Sequence, residues 1–251
     1  MTRPTFDLVP YRLRLHGLFR TAGATYSERV GLLVRARDPD GGDGWGEAAP
    51  LPGYGGESLD RCREALATLT GTLAAWVGAG EAALPATLPD LQTLMERLAP
   101  LAPDAPAARA GVDLALADLA ARRAGVPLAR WLAPDAAGAV AVNGVVGAVP
   151  PEKAERRARF LAKDGYRAVK VKIGLDDVAD IERIAAVCAV VGRGVRVRAD
   201  ANGAWDPLRA EVMLEALAPQ HLEYVEQPLP PGDIAGLAAL RRAGATRIAA
   251  D

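Results

Sequence analysis

Cysteine and histidine are scarce: Cys62, Cys188, His16 and His221 are all there are in 251 residues. They are isolated, at no zinc-ligand spacing, which excludes a Cys/His metal centre and leaves them as packed or surface residues. An excess of either charge is also missing, with 30 basic against 31 acidic residues and a net charge of −1. A nucleic-acid footprint shows as a basic excess on one face, so no nucleic-acid partner is expected. No run of about 18 apolar, uncharged residues suggests a membrane span. The start, MTRPTFDLVPYRL, has no apolar stretch suited to a signal peptide. These absences give the expectation of a soluble, cytoplasmic protein with no membrane partner. What is present is half hydrophobic, enough for a sizeable core and against disorder.

The chain changes character near residue 130. Before it, 8–17 and 29–37 alternate polar and apolar residues and read as strands. Asp38-Pro39-Asp40-Gly41-Gly42-Asp43-Gly44 is turn chemistry leading to a third strand, Gly44–Ala49, so an antiparallel meander is expected. A loop over Pro50–Gly56 follows, too rich in Pro and Gly for regular structure. Helices are expected near 57–79, 88–99 and 105–124, the last with an apolar stripe of Val112, Leu116 and Leu119. Strands then helices describe an α+β domain, 1–130. Pro127 and the stretch 134–138 mark a linker.

From 131 to 251 strands alternate with helices. The strands are 139–146, 167–173, 195–200, 222–226 and 246–250, with helices near 150–164, 177–190, 207–218 and 232–243. Asp206-Pro207 is an N-cap followed by proline at the first helical position. This order implies a parallel sheet. The fold class is therefore α/β: an α+β domain, then five strand-helix units of a (β/α)8-type TIM barrel that is not closed.

Four ionisable residues stand at the carboxyl ends of these strands. Lys172, Asp200, Glu226 and Asp251 are separated by 28, 26 and 25 residues, against about 30 per unit in a barrel of this type. In such a barrel they share the rim where active sites form. Alternation puts Val169, Val171 and Ile173 on the helix-facing side and Lys170 and Lys172 on the other; Arg198 and Asp200 likewise face inward. Burying such groups is costly unless they pair or hold a metal. Three carboxylates without nearby Cys or His form an oxygen-only set suited to a hard cation, magnesium first and manganese next. A lysine beside that cation is placed to act as a general base. Together they suit removal of a proton alpha to a carboxylate, with the metal stabilising charge on the enediolate oxygens. A plainer reading is also open: strand-end acids, and Lys172 in a buried ion pair.

Lys170-Val171-Lys172, Asp200-Ala201-Asn202-Gly203-Ala204-Trp205, Glu226-Gln227-Pro228 and Ala249-Ala250-Asp251, in this order, resemble the enolase superfamily and its muconate-lactonizing-enzyme subgroup. GWGEAAPLPGYGGESL and AGVPLARWL look like that family's capping domain. The resemblance covers essentially the whole chain. It implies Lys172 as acid/base, Lys170 tuning it and touching substrate, and Asp200, Glu226 and Asp251 on magnesium. Arg198 would be a supporting inward group. The loop at Pro52, Gly53 and Tyr54 would close over a small carboxylate substrate. Asn202 reads either as orienting the metal site or as a left-handed turn residue, and Glu47 either as a turn cap or as facing the site. Homo-oligomers are frequent in the family.

Within the subgroup the sequence looks most like o-succinylbenzoate synthases, which dehydrate their substrate in menaquinone biosynthesis. Dipeptide epimerases and muconate cycloisomerases share the metal site and the lysines, and an N-acylamino-acid racemase side activity is compatible with it. The family also places a second lysine on the next strand. Five strands cannot close a barrel, so the expectation is a piece of a longer lyase, with an inactive fragment or a binding module as the alternative.

Overall fold

The computed structural model describes residues 3–20, 25–52, 56–244 and 246–251. Two compact units emerge: Met1–His16 with Ser27–Gly138, and Gly17–Tyr26 with Ala139–Asp251.

The N-terminal sheet has the order β1 (Thr5–Arg20), β2 (Thr25–Arg37), β3 (Asp43–Ala48). β2 and β3 run antiparallel, with Leu32 opposite Ala48 and Arg37 opposite Asp43. The turn between them is closed by Asp38, whose carboxylate accepts the Asp40 and Gly42 amides at 2.9 and 2.7 Å. Four helices follow: α1 (Leu59–Ala79), α2 (Leu88–Leu98), α3 (Pro106–Arg123) and the short α4 (Leu128–Leu132). Each long helix starts on a local signal. Ser58 Oγ accepts the Arg61 amide, Thr87 and Asp90 form a reciprocal capping box, and Pro106 opens α3. The expected α3 stripe is real: Val112, Leu116 and Leu119 are buried with Leu32, Val34, Leu66 and Leu69.

In the second unit, strands and helices alternate: β4 (Gly144–Val146), α5 (Pro151–Lys163), β5 (Ala168–Lys172), α6 (Asp177–Val191), β6 (Arg196–Asp200), α7 (Pro207–Leu217), β7 (Tyr224–Glu226), α8 (Ile234–Ala243) and β8 (Ile248–Ala249). The sheet is parallel, in chain order from β4 to β8. Asp206 caps α7 as expected, accepting the Arg209 amide at 2.8 Å. Val169, Val171 and Ile173 are buried against the helices, with Ile184, Met213 and Leu214 in the same cluster. The lysine face of β5 is therefore the opposite one.

The two outer strands are shorter than their patterns suggest. Of the alternating stretch 139–146, only Gly144–Val146 pair, with Val169–Val171 of β5, while Val140 is 82% exposed and Val142 68%. β8 is two residues instead of five and pairs with β7. A strand persists only where a ladder partner satisfies its backbone, and each of these borders one strand of the described sheet. Among the described residues no helix is long and apolar enough to cross a membrane.

Candidate proton-transfer site

Strand register brings three of the four expected residues to one level. Lys172 pairs with Asp200, and Asp200 with Glu226. Glu226 in turn lies opposite Ala249, so Asp251 falls two residues further along, on the same side of the pleat but beyond the row.

Asp200 is the centre of the cluster and is fully buried. Its Oδ2 accepts from Lys172 Nζ at 2.6 Å and lies 3.0 Å from Lys170 Nζ; its Oδ1 accepts the Asn202 amide at 3.0 Å. Lys170 Nζ also donates to Glu226 Oε1 at 2.7 Å, so one ammonium bridges both acids. Burial pushes the Asp200 pKa up, but the hydrogen bonds and charges of Lys172 and Lys170 outweigh it and hold the carboxyl below its usual range. Burial of Lys170 acts to lower its pKa; Glu226 and Asp200 outweigh that and raise it.

Asn202 stands in a turn and reaches the lysine. Its φ is 49°, in the left-handed region that asparagine tolerates, and its Oδ1 accepts from Lys172 Nζ at 2.9 Å. The turn therefore presents a second oxygen to the lysine.

The structure specifies the partners of Arg198. It points inward, and its Nε donates to Glu223 Oε2 at 2.5 Å and its Nη1 to Asn143 Oδ1 at 3.0 Å, with the guanidinium carbon 5.1 Å from the centre of the Tyr224 ring. Alternation alone cannot say which acid an inward arginine meets. The register does: Arg198 lies opposite Tyr224, two residues below the Asp200–Glu226 level. Glu223 sits below its usual pKa because the hydrogen bond from Arg198 outweighs burial.

Asp251 is exposed, and its amide donates to Gln227 Oε1 at 2.8 Å. Gln227, in the Glu-Gln-Pro motif, has a structural part that the motif alone does not signal. It is 5% exposed, has a φ of 41° and donates from Nε2 to Leu229 O at 2.8 Å, tying the turn after β7 to the end of the chain beyond β8. Glu47, in the first unit, accepts from the Tyr11 hydroxyl, whose pKa burial and then Glu47 push up to about 12. Gly53 and Tyr54 lie outside the described residues.

Donor chemistry decides whether a metal suits this site. Asp200 and Glu226 are carboxylates that already share one cationic group, Lys170 Nζ, which fits a hard cation with oxygen ligands. The expected third ligand is not gathered in: among the described residues no three metal-ligating side chains form one group.

A parallel α/β unit with a lysine–carboxylate cluster at the carboxyl ends of its strands defines a class of catalytic scaffold. Two family descriptions match the chain: "Mandelate racemase / muconate lactonizing enzyme, N-terminal domain" over residues 6–132 and "Enolase C-terminal domain-like" over 153–251. The chain belongs to the enolase superfamily, in its muconate-lactonizing-enzyme subgroup. The L-Ala-D/L-Glu epimerase of Bacillus subtilis (strain 168) is 33% identical over 236 residues, 93% of this chain and 62% of that protein. The o-succinylbenzoate synthase of Thermobifida fusca (strain YX) is 44% identical over 115 residues, 45% of this chain and 35% of that protein. A dipeptide epimerase from Enterococcus faecalis V583, solved with Mg and L-Leu-L-Tyr, superposes with a TM-score of 0.88 at 27% identity, covering all of this chain and 68% of that one. The chain thus spans less than two thirds of the length of the Bacillus relative.

Proposed function

We propose that this protein removes the proton alpha to a carboxylate, with Lys172 as the base, and that its substrate is a dipeptide epimerised at that carbon. The observation that carries the base assignment is Lys172 Nζ, held 2.6 Å from Asp200 and 2.9 Å from Asn202 at the end of a parallel strand. Two oxygens aim the nitrogen in one direction, and orientation is a large part of what a positioned base contributes. In the reaction the neutral amine takes the proton as the C–H bond breaks, and the bonding pair moves into an enediolate. Lys170 balances Asp200 and Glu226 and places a positive charge beside the base. Magnesium on Asp200 and Glu226 would supply electrostatic stabilisation to the developing oxygen charges. Inversion needs, besides Lys172, a proton donor on the opposite face of the carbon.

The dipeptide is supported by the Bacillus and Enterococcus epimerases, which match more than nine tenths of this chain. A second reading, dehydration to o-succinylbenzoate, is supported by the higher identity to the Thermobifida synthase over a shorter stretch. Both begin with the same proton abstraction. Incubation with magnesium and a panel of L,L-dipeptides in D2O separates them. The expected result is deuterium at the α-carbon, slowed about 100-fold or more in Lys172→Ala. Turnover of the hydroxylated precursor of o-succinylbenzoate, with no dipeptide exchange, selects the second reading. Equal rates for parent and Lys172→Ala on both substrates would overturn the base assignment.

A further inference from the structure

Helix α6 turns residues 180, 183, 184 and 187 inward. That spacing normally carries four apolar side chains. Here the last two are Ile184 and Val187, but the first two are Asp180, fully buried, and Arg183, 4% exposed. The two form an ion pair. A buried pair is seldom more stabilising than apolar residues of similar size, so its reason lies in its other bonds.

Those bonds all go to backbone at strand ends. Asp180 Oδ2 accepts the Gly174 and Leu175 amides at 2.6 and 3.1 Å. Arg183 Nε donates to Val149 O at 2.5 Å, just past β4, and Nη1 donates to Lys172 O at 3.2 Å. The pair therefore holds the carbonyl of Lys172 and, two and three residues later, the amides of the turn that leaves it. The turn has no slack: Gly174 has a φ of +99°, and a Cβ there would lie 2.7 Å from that of Ala204. On the far side, the Ile173 amide donates to Asp200 O at 2.9 Å.

We infer that Asp180 and Arg183 are positioning residues for Lys172, clamping its backbone from the helix side of the sheet so that its amine stays on Asp200 and Asn202. This rests on the reading of Lys172 as the base. Apolar residues at 180 and 183 would fill the space, but they offer no partner to a carbonyl or an amide. A guanidinium can serve Asp180, Val149 O and Lys172 O at once because its donors form a rigid planar fork.

The test compares Arg183→Lys and Asp180→Asn with Leu214→Ala, a truncation on α7 in the same apolar cluster. Asp180→Asn keeps an acceptor for the Gly174 and Leu175 amides, so it carries the comparison if Arg183→Lys does not fold. One readout is trace acetylation, taken as Lys172 labelling relative to Lys170 by mass spectrometry. The expected result is a ratio raised roughly fivefold in the two clamp variants, the equivalent of about one lost hydrogen bond. Leu214→Ala should keep the parent ratio at a comparable loss of melting temperature. The other readout is α-deuterium exchange on dipeptides, where kcat should fall about 100-fold while KM stays nearly unchanged. Clamp variants that match Leu214→Ala in the labelling ratio, or an exchanging parent whose clamp variants keep its kcat, would overturn the inference. A parent that exchanges nothing, with the labelling ratio still raised in the clamp variants, would instead sink the assigned reaction and leave the clamp standing.

Discussion

Asp200 and Asp38 are both buried carboxylates beside cationic side chains, and the surroundings of each decide its use. Asp200 receives two lysine ammonium groups from the neighbouring strand β5. Asp38 receives the Arg123 guanidinium at 2.6 Å and two backbone amides of its own turn, so it is committed to structure. Burial acts to raise the Asp38 pKa, but the Gly42 amide and Arg123 outweigh it and hold the carboxyl below its ordinary range. A depressed folded-state pKa contributes stability that is present above the unfolded value, about 3.9, and is lost as pH falls through the lower folded value. Asp38→Asn should therefore cost about 2 kcal/mol at neutral pH. The gap to the parent should close as pH drops below the ordinary carboxylate range. Urea melts at pH 7 and at pH 3 check this, and a pH-independent gap would show that the charge is not what matters.

Among the elements, β3 depends most on a missing side chain. Cβ atoms added at Gly44 and Gly46 would sit 2.3 Å from Ala115 O and 2.0 Å from Gly111 O, so the strand lies directly on the backbone of α3. Relieving such a clash means moving main chain, and overpacking costs about 1–3 kcal/mol. Gly46→Ala should lower the unfolding free energy from urea melts by the upper part of that range, with Gly71→Ala, which meets open space on α1, as a neutral or slightly stabilising control. A Gly46→Ala protein as stable as the parent would mean that strand and helix are not in contact. The Gly44-Trp45-Gly46 stretch read as a strand but gave no hint of its partner, because closeness to α3 is a tertiary fact. The same holds for Asp180 and Arg183, which resemble an exposed i,i+3 pair until the helix is seen to face inward. The Asp206 cap and the lysine face of β5 were legible because each depends on a few neighbouring residues. The shortness of β4 and β8 was not, since pairing depends on what lies alongside.

At the scale of the molecule, the described residues form two apolar clusters, one around Leu66, Leu69 and Leu116 and one around Ile173, Ile184 and Met213. The lysine–carboxylate cluster belongs to the second, since β5, β6 and β7 carry Lys170, Lys172, Asp200 and Glu226. A cation taken up by Asp200 and Glu226 must compete with Lys170 Nζ, which now bridges them, so affinity should be modest and occupancy should need free metal well above its dissociation constant. Binding to the folded state alone stabilises by mass action, about 1.4 kcal/mol at tenfold that constant. That corresponds to roughly 3–5 °C in melting temperature for a domain of 150–250 residues. Millimolar magnesium should produce such a rise and EDTA should reverse it. Asp200→Asn should abolish the rise while Asp251→Asn reduces it only in part, because Asp251 stands outside the row. Hydrogen exchange should place the added protection on the amides of 168–172, 196–200 and 224–226, the strands that meet at the two acids. An equal rise in Asp200→Asn would mean that magnesium binds somewhere other than this cluster.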